Sequence, residues 1–95
     1  MAEVVWTIGA KSDLQQIYDY ISDDSPLYAE RFVMKLIDKV SILKEFPNAG
    51  RIVPEFENQQ LRELIEGNYR IIYKIKPDFI GVVRVHHSSQ LLKNI

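Results

Sequence analysis

Residues 61–87, LRELIEGNYRIIYKIKPDFIGVVRVHH, hold the densest run of strand-forming residues in the chain and decide its fold. At their centre stands Tyr69-Arg70-Ile71-Ile72-Tyr73-Lys74-Ile75, rich in β-branched and aromatic side chains that suit a pleated, half-buried surface. Gly67-Asn68 precedes it, a pair that tolerates the positive φ of a two-residue hairpin turn. Lys76-Pro77-Asp78 follows, with proline presetting a short turn before Phe79-Ile80-Gly81-Val82-Val83-Arg84-Val85. Three antiparallel strands are therefore predicted. With both turns closed, strand alternation writes out two faces. Leu64, Tyr69, Ile71, Tyr73, Ile75, Phe79, Val83 and Val85 make a core face. Glu63, Ile65, Arg70, Ile72, Lys74, Ile80, Val82, Arg84 and His86 make an open face, and its charged members are where function is expected.

In this register Arg70 and Arg84 stand opposite each other, where like charges repel. Either Glu63, across from Ile72, and solvent screening relieve the repulsion, or the two arginines await a partner's carboxylate or a phosphate. On the second view Arg70→Ala weakens partner binding more than folding. His86 shares the open face and could titrate near neutrality, whereas His87 falls on the core side, where a structural hydrogen bond is the simpler role. Arg62 and Tyr73 are cross-strand neighbours, which suggests a guanidinium packed on a ring.

Upstream, Val4-Val5-Trp6-Thr7 is a short strand signal with Val4 and Trp6 on one face. Thr7 or Gly9 can then open a helix, in which Ala10, Leu14, Ile17, Tyr18 and Ile21 follow helical spacing. Ser25-Pro26 is a strong start signal, serine as N-cap and proline at the first helical position. This second helix is expected from 26 to about 45 or 46, where Pro47 stops it. Its main stripe is Ala29, Phe32, Val33, Leu36, Ile37, Val40 and Leu43. Two helices on so short a link form an antiparallel hairpin whose stripes pack on the core face. The predicted architecture is thus α+β in two layers: an N-terminal strand, a helical hairpin, and a mainly antiparallel sheet with three C-terminal strands.

The back of the second helix also carries Leu27, Met34 and Ile42, with Arg31 and Asp38 between them. Scattered exposed apolar residues are common, so this is either ordinary surface or a strip for a partner or a second copy. The connector from 46 to 60 is punctuated by Pro47, Gly50 and Pro54 and reads as loop, with Arg51 hydrogen-bonding loop carbonyls.

Length and composition set further bounds. Ninety-five residues leave room for one domain, 1–95, with one core. There is no cysteine, so disulfides and thiolate metal sites are out; adjacent His86 and His87 point to opposite faces, which disfavours a shared metal. No cofactor is expected. No apolar run approaches the roughly 20 residues that span a bilayer, and no signal-peptide pattern opens the chain, so a cytoplasmic protein is expected. A net charge of −1 argues against strong direct nucleic-acid binding.

Several short motifs, in order along nearly the whole chain, resemble the toxins of the ParE/RelE superfamily of bacterial type II toxin–antitoxin (plasmid stabilisation) modules. They are Val5-Trp6-Thr7, Ala10 with Asp13-Leu14, Ile17 with Tyr20-Ile21, Phe46-Pro47 with Gly50-Arg51, Leu61-Arg62-Glu63, Tyr69-Arg70-Ile71-Ile72-Tyr73, and Val85 with His87. The resemblance implies a β-α-α-β-β-β fold and a growth-inhibiting activity neutralised by a cognate antitoxin, commonly in a heterotetramer. RelE-like members cleave mRNA on the ribosome, whereas ParE-like members act on DNA gyrase. RNA cleavage through the 2′-oxygen needs a base, cations for the phosphorane and an acid for the leaving oxygen. Arg70 matches the RelE-like sheet arginine, but the two lysines of that pattern fall near Leu61 and Glu63. The usual terminal arginine falls near Gln90, and no tyrosine follows it. The resemblance is therefore ParE-like rather than RelE-like, although Gln90 departs from the ParE pattern too. A nuclease would have to use Glu63, Arg70 and His86 or His87. A binding surface for target or antitoxin would use Arg70, Arg84, Leu27, Met34 and Ile42. An inactive relative kept as a binding module is the third alternative.

Overall fold

Two side-chain caps and two turns set the chain's course. Thr7 and Ser25, both in extended backbone, accept hydrogen bonds from the Ala10 and Tyr28 amides and open the two helices. The computed structural model describes residues 2–89. Its elements run β1 (Glu3–Trp6), α1 (Ile8–Ser22), α2 (Pro26–Ser41), a 3-10 turn (Ile42–Lys44), β2 (Arg51–Ile52), β3 (Leu61–Glu66), β4 (Tyr69–Ile75) and β5 (Phe79–His87). α2 ends a few residues before the predicted stop, because its last turn tightens into the 3-10 segment ahead of Pro47. Gln90, at which the family patterns expect arginine, lies outside the described residues.

The strands form one sheet in the order β1-β5-β4-β3-β2. β1 lies parallel to β5 and every other pairing is antiparallel, so the predicted α+β two-layer architecture holds. The β3–β4 hairpin turns through Gly67-Asn68 with Gly67 at φ 57, the left-handed backbone that glycine adopts without steric cost. β2, only two residues long, was read from the sequence as loop. It pairs with β3 at Arg51–Glu63 and Ile52–Arg62.

The helices cover one side of the sheet. Ala10, Ile17, Leu36, Val40 and Leu43 pack there on Leu64, Ile71, Tyr73, Ile80, Val82 and Val85. Ile80 and Val82 were expected on the open face, and Val83 and Phe79 in the core; the structure reverses both. The β4–β5 turn closes across Pro77-Asp78, with the Lys76 amide bonded to the Phe79 carbonyl, so Ile75 faces Ile80 one position from the predicted register, and this flips the start of β5. A β-bulge then inserts Val83 between Val82, opposite Tyr73, and Arg84, opposite Ile72. The bulge flips the strand back, so Val85 returns to the core. The same two shifts separate Arg70 from Arg84: Arg70 faces His86 instead.

The other side of the sheet is not bare, and the expectation of a single core is corrected. Val53, Leu61 and Ile72 form a second buried cluster, roofed by Phe56 and flanked by Val83. The connector that leads into this roof is anchored by Tyr73, which is fully buried on the helical side. Its hydroxyl accepts the Gly50 amide hydrogen at 2.9 Å and donates to the Pro47 carbonyl at 2.7 Å. Burial pushes the phenol's pKa up, so it keeps the proton it donates. A Cβ at Gly50 would sit 2.5 Å from the Glu63 carbonyl oxygen and 2.8 Å from the Tyr73 ring, which leaves glycine as the residue that fits. Arg62, opposite Tyr73 as predicted, does not use its guanidinium mainly on the ring. It donates to the carbonyls of Gly50 at 2.9 Å and Gln59 at 3.1 Å, fastening the same loop.

Candidate functional site

The predicted open face holds a closed chain of charge. Arg70, on β4, donates from Nε to Glu63 Oε1 at 2.6 Å and sends both terminal nitrogens to the Glu55 carboxylate, each at 2.7 Å. Glu63, on β3, has its other oxygen bonded to Nε of Arg51, its cross-strand neighbour on β2. Arg51 therefore serves a carboxylate, not the loop carbonyls foreseen for it. The order Arg51–Glu63–Arg70–Glu55 alternates in sign and sums to zero. Arg70 is only 6 % exposed and Glu63 1 %. The Glu55 fork, first among several causes, holds Arg70 even more firmly protonated than a free arginine. The carboxylates that Arg70 was expected to seek in a partner are supplied by its own chain.

Arg84 has a different setting. Its Nε donates to Asp13 Oδ2 on α1 at 2.8 Å, and the same oxygen accepts the Val85 amide at 2.9 Å. Thr7 completes this clamp by donating its hydroxyl to the Val83 carbonyl at 3.3 Å. The first half of α1 is thus pinned to β5 at the bulge. Arg84 keeps 42 % of its side chain exposed.

The histidines part ways as alternation requires. His86 lies beside Arg70 on β5, with its Nδ1 buried and without a hydrogen-bond partner among the described residues. Burial, then Arg84 and Arg70, lower its pKa from the ordinary value, so it is neutral at pH 7 rather than titrating there. His87 turns to the helical side, edge-on to Tyr69 at 5.3 Å, with Nδ1 hydrogen-bonded to the Ser89 hydroxyl at 2.7 Å. Of the four residues a nuclease would need, Glu63 and Arg70 meet, His86 borders them, and His87 is on the far side of the sheet. Among the described residues no three histidine or carboxylate side chains gather to hold a metal ion.

Two further surfaces stand out. Tyr28, Phe32, Tyr69 and His87 form a row of ring contacts 5.3–6.2 Å apart along an open groove of about 680 Å³ that Tyr20 also lines. On the outer side of the helical hairpin, Leu27, Met34 and Ile42 are all exposed, as the helical spacing anticipated. Sequence reasoning missed Glu55 and Asp13 as partners of the two arginines, and it missed the aromatic row. Only the i, i+4 spacing of Tyr28 and Phe32 hinted at the last.

Comparison with known proteins is consistent with this geometry. Residues 4–92 match the family model described as the ParE toxin of the type II toxin–antitoxin system, parDE. The chain is 38 % identical to Toxin RelE2 of Caulobacter vibrioides over 92 residues, 96 % of this chain and all of that one. Among solved structures it resembles the chromosomal ParDE TA system from P. aeruginosa, at 27 % identity and a TM-score of 0.76, over 92 % of this chain and 96 % of the other. The YoeB dimer from Staphylococcus aureus shares the fold at 12 % identity and a TM-score of 0.60, over 90 % and 95 % of the two chains. With its strand–helical hairpin–sheet order and a family match along almost its whole length, the chain belongs to the ParE toxins of type II toxin–antitoxin systems.

Proposed function

We propose that this toxin acts without nuclease chemistry, by binding DNA gyrase, and that a cognate antitoxin neutralises it in the cytoplasm. One observation carries the reading: the sheet arginine that could hold a scissile phosphate is buried and saturated by Glu55 and Glu63. A phosphorane needs unneutralised cations close by, and a general base needs to touch the substrate. Arg70 is charge-balanced, and Glu63 is shut beneath the residues around it. The sheet face also lacks lysine at positions 61 and 63.

Binding then falls to the parts that remain accessible. Arg84 and Arg51 present exposed guanidinium groups to acidic partner residues. The aromatic groove offers sockets for apolar side chains of the antitoxin.

The test is expression of the toxin without antitoxin, with a DNA-damage reporter and transcriptome-wide mapping of mRNA 5′ ends in the same culture. Gyrase-linked breaks with intact messages are expected. Codon-phased mRNA cuts would overturn the proposal in favour of a ribosome-dependent endoribonuclease. Healthy growth would mark an inactive binding relative.

A further inference from the structure

The exposed side of α2 carries a pattern that matches itself. Leu27, Arg31, Met34 and Asp38, with Ile42 at the C-cap where the 3-10 turn begins, all lie at the surface. At about 100° per residue they share an arc of roughly 80°, opposite the buried Ala29, Leu36 and Val40. Their spacing of four, three, four and four residues is that of a helix–helix seam. Neither Arg31 nor Asp38 forms an ion pair among the described residues, and two turns apart they cannot reach each other. The neighbouring Lys35 and Lys39 are drawn aside to Glu66 on β3, at 3.3 and 3.5 Å, and leave the seam clear.

The order along the seam is apolar, positive, apolar, negative, apolar. Run antiparallel against a copy of itself about a two-fold axis between Met34 and Lys35, it puts Leu27 level with Ile42 of the second copy. Arg31 then lies level with Asp38, and Met34 meets Met34 at the axis. The Arg31–Asp38 pair therefore forms twice, and along the seam no like charges face each other. A parallel pairing in register would set Arg31 on Arg31 and Asp38 on Asp38.

We propose that a second copy of this chain docks on the outer face of α2 through this antiparallel seam. The self-complementary order of charge is what selects that occupant over an unrelated helix, since a two-fold interface must present the same patch twice. α2 is 16 residues, about 24 Å long, and one helix face covers less than the roughly 800 Å² per partner of a standard stable interface. The association is therefore weak and concentration-dependent. The dimer leaves Arg84, the aromatic groove and the covered sheet face free, so it does not depend on the identity of the toxin's target.

Sedimentation of the purified toxin from low micromolar to near millimolar concentration reads the association directly. Wild type should pass from monomer to dimer. Arg31→Glu and Asp38→Arg, both at exposed positions, should each weaken the dimer at least about tenfold, because every pair becomes a like-charge contact. The double variant should regain it. An equimolar mixture of the two single variants should also dimerise. The new carboxylate at position 31 of one chain then meets the new guanidinium at position 38 of the other, while the unaltered Asp38 and Arg31 remain to pair. Circular dichroism confirms that each variant is folded. A wild type that stays monomeric throughout, or single variants that dimerise as well as wild type, overturns the proposal. So does a mixture that fails to recover.

Discussion

Replacing Arg70 by methionine, which keeps the aliphatic bulk and removes the charge, should cost the fold far more than its surface-like position in the sequence suggests. Three charge-assisted hydrogen bonds disappear, and the Glu63 carboxylate is left buried. Removing one partner of a buried ion pair typically costs about 3–5 kcal/mol. Two features pull the value toward the low end. Arg51 still faces Glu63, and Glu55 is exposed enough, at 20 % of its side chain, to take up water. A loss of about 3 kcal/mol is expected, a large share of the roughly 5–14 kcal/mol available to a chain of this length. Urea denaturation followed by far-ultraviolet circular dichroism measures it. Adding Glu63→Gln to the methionine variant removes the stranded charge, so the double variant should be more stable than Arg70→Met alone. A loss below about 1 kcal/mol for the single variant, or a double variant less stable than the single, would refute the claim that the network is a buried charge balance. The same result would revive the expectation that Arg70 serves partner binding.

Tyr73→Phe keeps the ring but leaves the Gly50 amide and the Pro47 carbonyl without the hydroxyl between them, so about 2 kcal/mol should be lost. Amide hydrogen exchange should show the loss concentrated in residues 46–60; uniform loosening would count against this hydroxyl as the anchor of that connector. His86 gives a pH signature. Its folded pKa lies below the ordinary 6.5, so the unfolded chain binds the proton more readily, and stability should rise as pH climbs from the folded pKa through 6.5. Urea midpoints at acid and neutral pH should show that slope in wild type and a shallower one in His86→Gln; equal slopes would remove His86 as its source.

How far the sequence could be read depended on whether each signal was local. Ser25-Pro26 and Gly67-Asn68 act within one turn of chain, and the helix start and the hairpin follow from them. The faces of β3 and β4 were legible for the same reason, because the hairpin turn fixed their register. β5 was misread from Ile80 to Val83 because a tighter turn than the expected one and a bulge each shift the strand by one. Neither leaves a compositional mark in a run of Ile, Gly and Val. The parallel pairing of β1 with β5 joins residues about 76 positions apart, beyond any local pattern. Glu55 was hidden likewise. It sits in a loop fifteen residues from Arg70, and no local pattern in the sequence tied the two together. The exposed strip on α2 was visible from periodicity alone, since no tertiary partner was needed to see it.

The connector that becomes the cover over the second sheet face is held by a phenol before β2 and by a guanidinium fork at Glu55 beyond it, both rooted in β4. Whether that face is shut or accessible is therefore decided by a few side chains and not by topology. A scaffold with the same strand order could acquire or lose an open cationic shelf through two or three substitutions. Activities within such a lineage would then diverge much faster than its architecture.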